Sequence, residues 1–210
     1  MKGPGLLFFL VAAVLGAFAL VWIAAPVGAV WLHHAERYDD EIAWLEQMQP
    51  LLPMGAALDP TIDRLEQENI RRELFAGRVD LAVVAVRAAR SRAHRSGRPL
   101  DPQTAALGLE TYARAADRMQ QHGRLSLAAD WNDTLFAFAV RDPDADHRNA
   151  AVAAFAEGLD LRVRDGQPCA ALARYQWARK GLGGEVPQLG PEVEQRLTQL
   201  CADSRGGASR

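Results

Sequence analysis

Lysine is almost missing from this chain: Lys2 and Lys180 are the only two, and arginine carries the rest of the positive charge. With 24 basic against 26 acidic residues, no global field draws the protein to nucleic acid, and no nucleic-acid partner is expected. Cysteine is as scarce, at two residues, so any internal cross-link has a single pairing. Aromatics make up only 7% and β-branched runs are few, which favours alanine-rich helices throughout. Signatures of chemistry are lacking as well. The chain has no Cys-x-x-Cys-His haem attachment, no His-Glu-x-x-His, no Gly-rich phosphate loop and no Gly-x-Ser-x-Gly turn. No catalytic residue, cofactor or metal is therefore expected, and the chain reads as a non-enzyme.

What is present begins with a long apolar run. Gly5 to Leu32 is 28 residues without an ionisable side chain, where about 20 suffice to cross a bilayer. A cleaved signal peptide has a shorter apolar region, roughly 7–15 residues, so an uncleaved single-pass anchor is the reading for 1–32. Lys2 precedes the run and Arg37 is the only basic residue soon after it. The positive-inside bias then puts the N-terminus in the cytoplasm and the domain outside, which in a bacterium is the periplasm. Ala12/Gly16 and Ala24/Gly28 are small-xxx-small pairs, the pattern that lets another membrane helix approach closely. Chance in an Ala-rich span gives such pairs too. Pro26 marks a kink or the end of regular helix, and Trp22 and Trp31 suit an interfacial belt.

His33 and His34 follow at once. Two histidines can ligate a metal or a tetrapyrrole, but neighbours on a helix point about 100° apart and rarely share one ion. Ile42, Leu45 and Met48 then step at helical spacing up to Pro50, and an apolar linker follows. Residues 33–57 are thus a juxtamembrane helix and linker.

From 58 to 203 the chain repeats itself. Asp59-Pro60, Asp101-Pro102 and Asp142-Pro143 recur 42 and 41 residues apart, and the turning glycines Gly77, Gly123 and Gly166 recur 46 and 43 apart. Asp-Pro is an N-cap followed by a residue pre-set for the first helical position. Glycine tolerates the left-handed geometry past a helix end. Each pair brackets one helix of a hairpin, and periods of this size belong to stacked hairpins too small to bury their own apolar faces. The fold expected is all-α: one transmembrane helix, then a solenoid-like array of about three hairpins, a capping helix from Pro191, and a mobile tail at 204–210.

One helix end is basic. Arg87, Arg90, His94 and Arg98 fall at offsets 0, 3, 7 and 11 on a helical wheel. They suit anionic lipid headgroups or an acidic partner surface; a solvated helix end complementing the dipole is the plainer reading. Trp131, in the bulkiest stripe of the chain, reads as core.

The spacing from each turning glycine to later alanines (Gly77 to Ala82 and Ala89, Gly166 to Ala171 and Ala178) resembles the second half of a tetratricopeptide repeat. Phe155, Tyr175 and Ala178 fall on that pattern's aromatic and small positions. The units exceed the usual repeat length, and Tyr112 comes one residue late after Leu107-Gly108. The resemblance implies a concave surface that binds peptide or protein segments. One N-terminal span followed by such hairpins also looks like ancillary subunits of the secretory translocon.

These features predict an accessory or scaffolding subunit of a larger membrane complex (respiratory, photosynthetic or translocation), with other subunits and the bilayer as partners. An anchored chaperone or assembly factor is the alternative, and a pigment or haem protein using His33 or His34 a second. Cys169 starts one helix and Cys201 ends the capping helix that follows it, an arrangement that brings them together in an antiparallel hairpin. A disulfide there, favoured over two reduced thiols, closes a loop of about 33 residues and contributes about 3 kcal/mol by loop entropy. Titration of the unreduced protein with a thiol reagent is expected to find no free thiol; a count of two would remove the cross-link.

Overall fold

The computed structural model describes residues 4–52, 55–184, 186 and 189–207. Side chains are described over the same residues except 4–11, 17–18, 21–22, 25 and 206–207. The chain is all-α, with helical segments packed in chain order. They are α1 (Pro4–His34), α2 (Tyr38–Met48), α3 (Asp59–Phe75), α4 (Val79–Arg95), α5 (Pro102–Gln121), α6 (Leu125–Ala139), α7 (Ala145–Arg164), α8 (Pro168–Gly181) and α9 (Pro191–Gly207). Short 3-10 turns, Gln49–Leu51 and Gly55–Leu58, link α2 to α3. Contacts divide the chain into two compact units, Met1–Gly77 with Val84–Thr104, and Arg78–Val83 with Ala105–Arg210.

In the first unit, Ile42, Leu45, Ile62 and Leu65 form a core that Ala29 of α1 joins. In the second, α6 packs on α7, α7 on α8 and α8 on α9. Its core includes Ala128, Ala129 and Leu161, and the stacked rings of Phe136 and Phe155, 4.4 Å between centroids. Tyr112 stacks on Trp131 at 6.0 Å and meets Phe138 edge-on at 5.3 Å.

The helix ends reuse one device. Arg124 N–H donates to the Met119 carbonyl and Gly123 N–H to that of Gln120, with Gly123 at φ 70°. Gln167 and Gly166 repeat the pattern on Arg162 and Val163. Such a closure satisfies two orphan carbonyls and needs a residue in the left-handed region.

The Asp-Pro phrases diverge on closer view. Asp101 caps α5, its Oδ1 accepting from Gln103 N–H at 2.9 Å and Thr104 N–H at 3.1 Å. The cap of α7 is Asp144 rather than Asp142; it accepts from Asp146 N–H and His147 N–H, and these bonds hold its carboxyl below the ordinary value. Asp59 caps nothing. It already lies inside α3, so its carboxylate is turned to other partners. At the other end of the chain α9 runs on through Gly207, past the boundary expected at 203. Ser204, expected in a mobile tail, donates to the Cys201 carbonyl at 2.8 Å.

Among the described residues, no helix is long and apolar enough to cross a membrane. The described side chains of α1 begin at Ala12 and are interrupted at 17–18, 21–22 and 25, so part of the expected span lies outside them.

Among the described residues, one left-handed position is not a glycine. Glu36, at φ 54°, closes α1: Arg37 N–H donates to the Leu32 carbonyl and Glu36 N–H to that of His33. Glu36→Gly is expected to stabilise the fold, and Gly123→Ala, at φ 70° in open space, to destabilise it. Each shift should be about 1 kcal/mol and opposite in sign, read from chemical-denaturation midpoints.

Candidate interaction surface

The first unit is built on α1. α2 runs antiparallel to its last turns. His33 Nδ1 meets Glu41 Oε2 at 3.1 Å near the loop, and about one turn away Gly28 meets Trp44 so closely that a Cβ there would sit 2.6 Å from the indole Nε1. α3 then runs parallel to α1. It starts at Asp59, held by Gln49 Nε2 at 2.8 Å. Towards its end Asn69 donates to Asp39 at 2.8 Å and Arg72 to the Glu36 carbonyl at 2.5 Å. The later turns of α4 come back beside α3: Arg92 pairs with Glu66 and, at 2.7 Å, with Glu46. Beyond the helix, Arg98 reaches Asp63 at 2.5 Å and Asp59 at 2.8 Å.

A cleft of about 240 Å³ opens where α2, α3 and the end of α4 meet. Its polar walls are Glu46, Asp59, Asp63 and Glu66 facing Arg92, Arg95 and Arg98. Every arginine in it is paired. At Arg98 burial opposes the charge, but the Asp63 and Asp59 carboxylates outweigh burial and raise the guanidinium above its ordinary value. The network locks three helices in register; chemically it offers paired charges and no activated nucleophile. Above it, burial raises the Glu41 carboxyl while the His33 ring pulls against that shift.

The sequence-predicted residues are partly separated here. Arg87, Arg90 and His94 are exposed on α4, but Arg98 does not share their face. α4 ends at Arg95 and Gly97 turns left-handed at φ 66°, so the helical offset no longer applies and Arg98 swings into the cleft. Of the small residues in α1, Gly16 has nothing within 4 Å of a Cβ position, Ala12 and Ala24 are exposed, and Gly28 is occupied by Trp44. His34 is exposed, while His33 also meets Tyr38 edge-on at 5.6 Å.

In the second unit Cys169 and Cys201 are joined in a disulfide, with Cα atoms 4.7 Å apart. Tyr175 O–H donates to the Leu189 carbonyl at 3.2 Å, tying the link between α8 and α9 to α8. Sequence reasoning missed the buried cation there. Arg162, 4% exposed, bonds Asp133 through both terminal nitrogens at 2.7 and 3.3 Å and Asp130 at 2.7 Å. Arg174 adds a fourth contact, to Asp133 at 3.1 Å. The only signal was Asp130 and Asp133 three apart on one helix, a common surface pattern.

No known protein family, curated protein or solved structure matches the chain.

Removing one member of a buried ion network leaves the rest uncompensated. Arg162→Ala is expected to cost about 3–5 kcal/mol in urea unfolding. Arg162→Met combined with Asp133→Leu should recover most of that loss, whereas equal losses for both variants would mean that packing, not charge, is what Arg162 supplies.

Proposed function

We propose that the protein is a non-catalytic scaffolding subunit, anchored by α1 in the inner (cytoplasmic) membrane and presenting its helical domain on the periplasmic side. The observation that carries this reading is the uncharged stretch Gly5–Leu32, a single helix whose later residues pack into a folded core: Gly28 against Trp44, and Ala29 against the cluster of Ile42, Leu45, Ile62 and Leu65. An anchor continuous with its domain holds that domain at a set height and orientation. That serves a fixed assembly better than a tethered capture device. The disulfide supports an oxidising compartment for the second unit.

The domain's part is tetratricopeptide-like: helical hairpins within each unit present exposed faces that contact other subunits. Phe75, 97% exposed, and Trp177, 48% exposed, are large apolar groups of the kind such contacts bury. Residues of the chain spent on pairing are spent internally, which suits support more than chemistry.

Purification of the full chain in mild detergent, followed by a native gel and mass spectrometry, tests the reading. One complex of fixed stoichiometry is expected. A solitary chain, or a mixture of substoichiometric clients, would argue against a permanent subunit.

A further inference from the structure

The last helix of the second unit is fastened by a covalent bond and held by little else. Of the side chains described in α9, only Leu197 and Cys201 are buried, while Val193 and Leu200 are half-buried. Its ion pairs lie at the surface, Arg179 with Glu194 and Arg196 with Asp160 at 3.8 Å, where such pairs contribute little. The link before α9 is anchored at its own end, by buried Val186 and by the Tyr175 hydroxyl on the Leu189 carbonyl. Beyond Leu197 the one buried residue is Cys201 itself, so the later turns of α9 depend on its bond to Cys169.

That bond is placed where a thiol can reach it. Cys201 is buried, but Cys169 is half-exposed in the first turn of α8, and Ser204, 3.8 Å from its Sγ, is exposed. No side chain caps that turn, and the helix dipole favours a thiolate there. We infer that Cys169–Cys201 is a redox-operated latch on α9, opened by a dithiol reductant and closed again by oxidation. One thiolate of the dithiol attacks Cys169 Sγ, and Cys201 leaves as a thiolate. The second thiolate of the dithiol then attacks its own partner sulfur in the mixed disulfide, which expels Cys169 and leaves the dithiol oxidised to a disulfide. Two electrons pass to the protein, and the two protons shed by the dithiol balance those the cysteines take up.

Opening the latch acts locally. Loop closure by this bond favours docked α9 by about a hundred-fold in the equilibrium. A detached helix of 17 residues is marginal in water, so α9 melts as it leaves. The α6–α7 pair keeps its own supports, the Arg162–Asp133 bonds and the Phe136–Phe155 stack. The end of the second unit therefore presents a different surface in each redox state. None of this depends on how α1 meets the membrane.

The test follows amide exchange in the full-length chain in mild detergent, oxidised or treated with dithiothreitol in the absence of denaturant. Dithiothreitol is expected to open the bond in the folded protein. Amides over 193–205 should then exchange about a hundred-fold faster, while those of α6 and α7 keep their oxidised rates. Cys169→Ser with Cys201→Ser should reproduce the reduced pattern without any reductant. A bond that opens only in denaturant overturns the latch, and so does unchanged exchange of α9 after reduction. Equal acceleration from α6 to α9 overturns it as well, because the bond would then stabilise the whole unit and release no single helix.

Discussion

The first unit depends on a contact that only the absence of a side chain permits. Trp44 lies against Gly28 at a distance no Cβ would tolerate. Close approach there sets α2 antiparallel to α1, and the rest follows in order. His33 meets Glu41, the turn at Glu36 receives Arg72 and the start of α3 is placed under Gln49. The arginines closing α4 then find carboxylates already in place. An alanine at position 28 would displace a tryptophan, not merely crowd a groove.

The second unit solves a similar problem with charge. Gly158 lets α7 approach α6 closely, a Cβ there lying 3.1 Å from that of Asn132, and Arg162 lies one turn on, reaching back to Asp130 and Asp133. A buried cation adds little net stability against an apolar equivalent, but it admits one register, since only one carboxylate pair matches its fork. Close packing and specific pairing thus divide the work of aligning these two helices.

Much of the helix plan was legible because its punctuation is local. Gly77, Gly123 and Gly166 turn left-handed where the periods put them, and Asp101 caps as its neighbour Pro102 suggests. Local grammar failed where a side chain had a better offer from afar. Asp59 abandons capping for Gln49 and Arg98, and Arg98 leaves the α4 face because the helix ends before it. The cleft was illegible for the same reason: Glu46, Glu66 and Arg92 are each unremarkable on their own helices, and only the packing of three helices assembles them. A helical wheel knows the period of a helix and not where it stops.

The Cys169–Cys201 bond joins the start of α8 to the far part of α9, enclosing the whole of the intervening link, where Val186 is buried and Leu189 is bonded to Tyr175. Protease cleavage anywhere in that link would cut the backbone without parting the two helices. The nicked chain would migrate as one species until reductant is added, so α9 stays attached for as long as the bond is oxidised.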